Sequence, residues 1–149
     1  MASPTRETVH LTQGRDYQFN VHFGAGIAPL PSDLPPPLGV GLGPSPEMLL
    51  AAAVGNCLAA SLLFSLRKYK QQPDPITAEV STDIGRNAQG RLRVQAMTVT
   101  LTLGQPAAAL EHLQRVLDQF EDFCTVTQSV RAGIEIAVQV FDATGERLK

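Results

Sequence analysis

Two thiols and one carboxylate are the groups in this 149-residue chain whose types and places could do chemistry: Cys57, Cys124 and Glu47. A cysteine acts as its thiolate, which serves as nucleophile or redox centre. Two cysteines are too few for a disulfide scaffold, so in a reducing compartment they read as redox-active or simply buried. By type alone, Cys57, between Asn56 and Leu58, is a small buried hydrophobe, and chemistry there would need a cationic neighbour. Cys124 precedes Thr125-Val126-Thr127-Gln128, a capping-box pattern with Thr125 at the cap. That pattern puts Cys124 just before a helix N-terminus, whose free amides favour a negative sulfur, although Glu121 and Asp122 oppose it. As a packing residue at an element boundary it fits equally well.

Glu47 suits the first turn of a helix by charge alone, and as a functional group it would orient a cation near the thiol. Ten residues of straight helix put it about 15 Å from Cys57 along the axis. Linking the two requires an arginine bridge, a kink near Gly55 or a second subunit. Arg131, Arg91 and Arg93 are the basic residues on offer, each by default a solvated surface charge. His10, His22 and His112 are scattered and form no ligand cluster, so neither a metal nor another cofactor is expected. A cysteine hydrolase or transferase would want a histidine beside its nucleophile, and only His112 falls near enough to consider.

The elements that must hold these groups are legible from pattern. Thr8–Thr12 and Tyr17–Phe23 alternate apolar and polar around Gly14-Arg15-Asp16, a hairpin signal. The stretch containing Pro29, Pro31, Pro35, Pro36 and Pro37, then Gly39, Gly41 and Gly43, reads as a stiff extended loop. Ser45 as cap, Pro46 at the first position and Glu47 behind it open a helix predicted to reach about Lys70. Strands are predicted over Ile76–Ile84 and Arg91–Leu103, the latter directing Met97, Val99, Leu101 and Leu103 to one face. Pro106 opens a helix with the stripe Leu110, Leu113, Val116, Leu117 and Phe120. A short helix then follows Cys124 to Gly133, and Ile134–Phe141 closes as a strand. The order β-β-α-β-β-α-α-β gives an α+β fold with one long helix packed on a mostly antiparallel sheet, in a single domain over 1–149.

Composition narrows the function. With 44% hydrophobic residues, 17% charged and a net charge of -2, nothing draws the chain to nucleic acid or an anionic membrane. Tryptophan is absent, so a base-stacking surface is not expected. Met48 to Leu66 holds 19 residues without a charge, close to a bilayer span. Its alanines, with Gly55, Asn56, Ser61 and Ser65 among them, suit a buried central helix better. The polar opening Met1–His10 lacks the apolar region of a signal peptide, which points to the cytoplasm.

The segment Gly43-Pro44-Ser45-Pro46-Glu47 through Val54-Gly55-Asn56-Cys57-Leu58 resembles the first cysteine motif of the OsmC/Ohr family. Phe120-Glu121-Asp122-Phe123-Cys124 through Gln128-Ser129-Val130 resembles the second. The resemblance implies a homodimer with interwoven subunits and sites at their interface. It makes Cys57 the peroxidatic thiolate, attacking an organic hydroperoxide or hydrogen peroxide, and Cys124 the thiol that condenses with its sulfenic acid. A dithiol, lipoylated protein or small thiol would reset the pair, in an antioxidant role. Members of that family place an arginine, held by the glutamate, upstream of the Pro-Glu pair; here Pro37 stands there, and no arginine occurs from Asp16 to Cys57. A non-enzymatic dimer, sensing redox state or binding a small apolar ligand, is the alternative that this departure favours.

Overall fold

The computed structural model describes residues 1–149 throughout. The strands are β1 (His10–Gln13), β2 (Phe19–His22), β3 (Leu30–Ser32), β4 (Thr77–Arg86), β5 (Leu92–Thr102) and β6 (Glu135–Phe141). The helices are α1 (Pro46–Lys68), α2 (Leu113–Gln119) and α3 (Thr125–Val130), with 3₁₀ turns at Ala107–Ala109 and Phe120–Phe123. They form two compact units, Met1–Leu49 and Leu50–Lys149. No break in composition marks the boundary, which falls inside the first turns of α1.

In the first unit β1, β2 and β3 make an antiparallel sheet in that order, with His10 opposite His22 and Val21 opposite Leu30. The hairpin between β1 and β2 is the one expected. The third strand is an addition, because Leu30-Pro31-Ser32 lies in the stretch read as loop. Proline is tolerated on a sheet edge, where no partner needs its missing N–H. From Asp33 to Gly43 the chain loops back on itself. The Asp33 carboxylate accepts the amides of Leu34 at 2.8 Å and of Val40 and Leu42 at 3.1 Å. A side chain at Gly43 would drive its Cβ into the backbone of Pro31, so only glycine lets the loop pass that close to β3.

In the second unit β5 is central, antiparallel to β4 and parallel to β6. Its alternation sends Met97, Val99 and Leu101 inward, with Leu103 beyond it, all at 1% exposure or less. Facing residues of α1 recur at spacings of three and four: Val54, Leu58, Ser61, Leu62, Ser65 and Leu66 are buried. Gly55 allows that helix to approach the sheet, since a Cβ there would lie 2.6 Å from Val80 Cγ2. Val116, Leu117, Phe120, Cys124, Ile136 and Val140 complete the core.

Helix α1 starts as its sequence predicts, with Ser45 Oγ accepting the Met48 amide at 3.3 Å. It stops at a Schellman motif, in which Gln71 N–H donates to Leu66 C=O and Lys70 N–H to Arg67 C=O. Lys70 takes the left-handed φ of 58° that such a stop requires. The long helix expected after Pro106 is not continuous. It turns once as 3₁₀, extends at Leu110 and restarts after His112, whose φ is also 58°. The stripe is correct even so, because Leu110, Val116, Leu117 and Phe120 are all buried. One apolar period can be served by two short segments as well as by one helix. The break is held by Gln71 Oε1, which accepts the Glu111 amide, and by His112 stacked on Tyr69 at 4.6 Å. His112 therefore belongs to a turn, with its ring stacked on Tyr69.

Candidate active site at the two thiols

Cys57 lies mid-way along α1 and is half-buried; Cys124 is fully buried, packed in the core, and both are free thiols. They are neighbours. Burial pushes the Cys124 thiol above its ordinary ionisation range, and the neighbouring Cys57 thiol pushes it further. The Thr127 hydroxyl and amide act in the opposite direction.

Local sequence explains how Cys124 is held. The 3₁₀ turn Phe120–Phe123 ends with Cys124 N–H donating to Glu121 C=O at 3.0 Å, and α3 begins with Gln128 N–H donating to Cys124 C=O at 3.0 Å. Cys124 is thus the cap residue itself, which moves the start of the helix one place ahead of the expected capping box. Gln128 turns its side chain to the Glu121 carbonyl instead of capping reciprocally. The Cys124 thiol donates to Thr127 Oγ1 at 3.0 Å.

The charges nearby are already engaged. Glu121 is gripped by Arg131 and Lys149, each at 2.8 Å. Burial opposes its ionisation, yet these two cations pull its carboxyl below the usual range. Arg131 also donates to Ile136 C=O, so its guanidinium serves the turn and not a thiolate. Arg93 donates to the carbonyl of Leu92, and Arg91 is exposed. Glu47 occupies the first turn of α1 and forms no ion pair. Of the three residues singled out from sequence, the structure makes Cys57 and Cys124 neighbours in the second unit, and Glu47 belongs to the first.

Pro37, where the resemblance would have an arginine, sits in the loop closed by Asp33. That carboxyl is held below its ordinary range, chiefly by the Leu42 amide against the opposing effect of burial. Backbone N–H groups satisfy it, and no lysine or arginine occurs from Asp16 to Leu66.

Four residues beside the cysteines in the chain or along α1 make contacts that the sequence reading did not single out. Phe64 and Lys68 lie seven and eleven residues after Cys57, which puts all three along one side of α1. Phe64 meets Phe123 edge-on at 6.4 Å, and Lys68 Nζ lies 5.0 Å from each ring centre. Helical spacing could have shown the first two. Thr127, the fourth, was hidden because its pattern also reads as part of a cap.

The two neighbouring thiols, one half-exposed and one enclosed, are not at disulfide distance and both are free. Residues 39–139, which contain both cysteines, match the family described as OsmC-like protein. The chain belongs to the OsmC-like family. Its fold is that of solved family structures. An OsmC-like protein of unknown function from Vibrio cholerae superposes with a TM-score of 0.77 at 16% identity, over 92% of this chain and 99% of that one. An organic hydroperoxide resistance protein OsmC from Legionella pneumophila gives 0.72 at 13% identity, over 95% and 99%. The organic hydroperoxide resistance protein OhrB of Bacillus subtilis gives 0.68 at 16%, over 91% and 98%. No curated protein matches the chain.

Proposed function

We propose that this OsmC-like protein is a two-cysteine thiol peroxidase of the cytoplasm, and that the adjacency of Cys57 and Cys124 is the observation that carries the reading. Cys57 attacks the outer oxygen of a hydroperoxide, the O–O bond breaks, and an alcohol or water leaves with a proton. The Cys57 sulfenic acid then condenses with Cys124, releasing water and leaving a disulfide for an external dithiol or lipoyl group to reduce. Half-burial of Cys57 admits substrate, and enclosure of Cys124 protects it from direct oxidation. The Legionella and Bacillus proteins are organic hydroperoxide resistance proteins, which supports peroxide as the substrate class.

The working form is a homodimer. Helix α1 is long and apolar enough to cross a membrane, yet more than half of that apolar stretch is not buried in a single copy. Ala52, Ala53, Ala60 and Phe64 line an exposed side that a second copy would cover. Glu47 would then act on a cation from that copy. Stopped-flow consumption of an organic hydroperoxide tests the chemistry. Cys57→Ser should abolish it, and Cys124→Ser should stall after one turnover at the sulfenic acid. Equal rates for wild type and Cys57→Ser end the proposal.

A second reading has its own observation. Arg131 is spent on Glu121, and Pro37 replaces the expected arginine, so the same thiol pair could serve as a slow redox sensor. Peroxide turnover too slow to measure, with the disulfide still forming and breaking reversibly, would favour it.

A further inference from the structure

We infer that Thr127 is a positioning residue that holds the Cys124 sulfur toward Cys57 and keeps it hydrogen-bonded in both protonation states; this rests on the thiol-pair reading above. Sγ of Cys124 and Oγ1 of Thr127 are 3.0 Å apart, and both residues are fully buried. No water is needed to satisfy either group. As a thiol Cys124 donates to the hydroxyl; as a thiolate it must accept, and a hydroxyl that rotates can make that exchange where an apolar side chain cannot. In an enclosed site the change matters more than at the surface, because a sulfur anion that loses the hydroxyl keeps the Thr127 amide but has no solvent to replace the lost donor.

The surroundings leave this task to Thr127. From α1 the group facing Cys124 is the Cys57 thiol, which disfavours a second negative charge. Along its own segment the charges are Glu121, whose carboxylate is occupied by Arg131 and Lys149, and Asp122, which is exposed. Thr127 is β-branched and sits inside α3, so few rotamers are open to it. Its carbonyl accepts the Arg131 amide at 2.8 Å, which fixes the turn that presents the hydroxyl.

Ring closure then runs as follows in atoms. Cys124 gives up its proton, and Thr127 turns to donate to the sulfur. The thiolate attacks the Cys57 sulfur, the S–S bond forms, and the S–O bond of the sulfenic acid breaks. The departing hydroxide takes up a proton and leaves as water. In the resetting step an external thiolate attacks the half-exposed Cys57 sulfur, the S–S bond breaks, and Cys124 leaves as a thiolate again bonded to Thr127. A second thiol of the reductant releases Cys57 and ends as that reductant's own disulfide.

Thr127→Val keeps the shape and removes the hydroxyl, and Thr127→Ser restores it. Closure of the pair is followed in reduced protein by the loss of alkylatable thiols, after one equivalent of hydroperoxide or, separately, after hydroxyethyl disulfide. With either oxidant Thr127→Val should close about tenfold more slowly, the loss expected for one hydrogen bond to a charged sulfur. Its rate should also reach half-maximum at a higher pH than in wild type. Thr127→Ser should recover the wild-type rate and pH profile. Unchanged rate and profile in Thr127→Val overturn the inference, as does a serine variant as slow as the valine one, since packing alone would then explain the loss. Failure of the peroxidase reading looks different: hydroperoxide leaves the wild-type thiols untouched, and hydroxyethyl disulfide still closes the pair at a rate that depends on Thr127.

Discussion

Between Met1 and Leu49 the one apolar side chain that is buried is Val21, and the other buried groups are Ser32, Asp33 and Ser45. Between Leu50 and Lys149 the buried groups are mostly Leu, Val, Met and Phe, from α1, β5, α2 and β6. The first unit is shaped by hydrogen bonds, with Ser32 and the Asp33 amide bonded to Pro44 C=O and the Asp33 carboxylate collecting three amides. The second is shaped by area removed from water. Hydrogen bonds specify geometry and add little net free energy, whereas each buried large aliphatic adds about 1.5–3 kcal/mol. So the first unit is well defined but weakly held. Leu11, Tyr17, Phe19 and Phe23 remain exposed on and around its small sheet, which is apolar surface it cannot bury alone.

The sharpest way to break this comparison is to remove the same kind of support from each unit. Leu62→Ala empties a fully buried site on α1 and should cost about 3 kcal/mol, read as a lower denaturant midpoint for the whole protein. Asp33→Asn should leave that midpoint nearly in place and instead open the loop from Leu34 to Leu42 to protease. A global loss from Asp33→Asn as large as that from Leu62→Ala would show that the two units do not differ in this way. Gly55→Ala is the next largest test, confined to the second unit. Its Cβ would press on Val80 Cγ2, and the strain of about 1–3 kcal/mol should exceed the helix propensity of alanine, worth about 1 kcal/mol. Pairing it with Val80→Ala should recover part of the loss in a double-mutant cycle. Independent, additive effects would contradict close packing at Gly55.

The same contrast explains what could be read from sequence. Periodicity is a record of burial, so α1, β4, β5 and β6 were visible to within a few residues, as was the stripe from Leu110 to Phe120. The break at His112 was not, because a left-handed residue without glycine leaves no pattern. Strand β3 was hidden by Pro31, which the sheet tolerates only because it lies on an edge. At the site, the cysteines stood out by type and their meeting was implied by the family motifs. Thr127 and the engagement of Arg131 with Glu121 arise from pairings across turns, which no local pattern encodes. The arginine question illustrates the limit well. The sequence showed that Pro37 carries no charge; the structure adds that Arg131 serves the turn before Cys124.

The smallest effect concerns how charge is held in that turn. Two kinds of carboxylate occur in the second unit. Asp142 is lowered to about 2, mainly by the Ala107 amide and the Thr144 hydroxyl, and Glu121 is lowered by two cations against the cost of burial. A carboxyl whose folded pKa is depressed adds stability that is complete above its unfolded value and is lost as pH falls through the folded one. For Glu121 that window opens below 4.5, and for Asp142 it lies between 3.8 and about 2. Glu121→Gln should therefore lower stability modestly at pH 7, and the gap from wild type should close as pH falls below 4.5. Its ion pairs with Arg131 and Lys149 are partly solvated, so 1 M salt should shrink the gap at pH 7. The acid limb assigned to Asp142 rests on a neighbouring amide and hydroxyl and should keep its position in salt. Thermal melts of both proteins from pH 7 to pH 3, at low and high salt, separate the two. Equal stability of the two proteins at pH 7 would mean that Glu121 holds the Cys124 turn through its carbonyl bonds to Cys124 and Gln128 alone, bonds the variant keeps, with its charge contributing nothing.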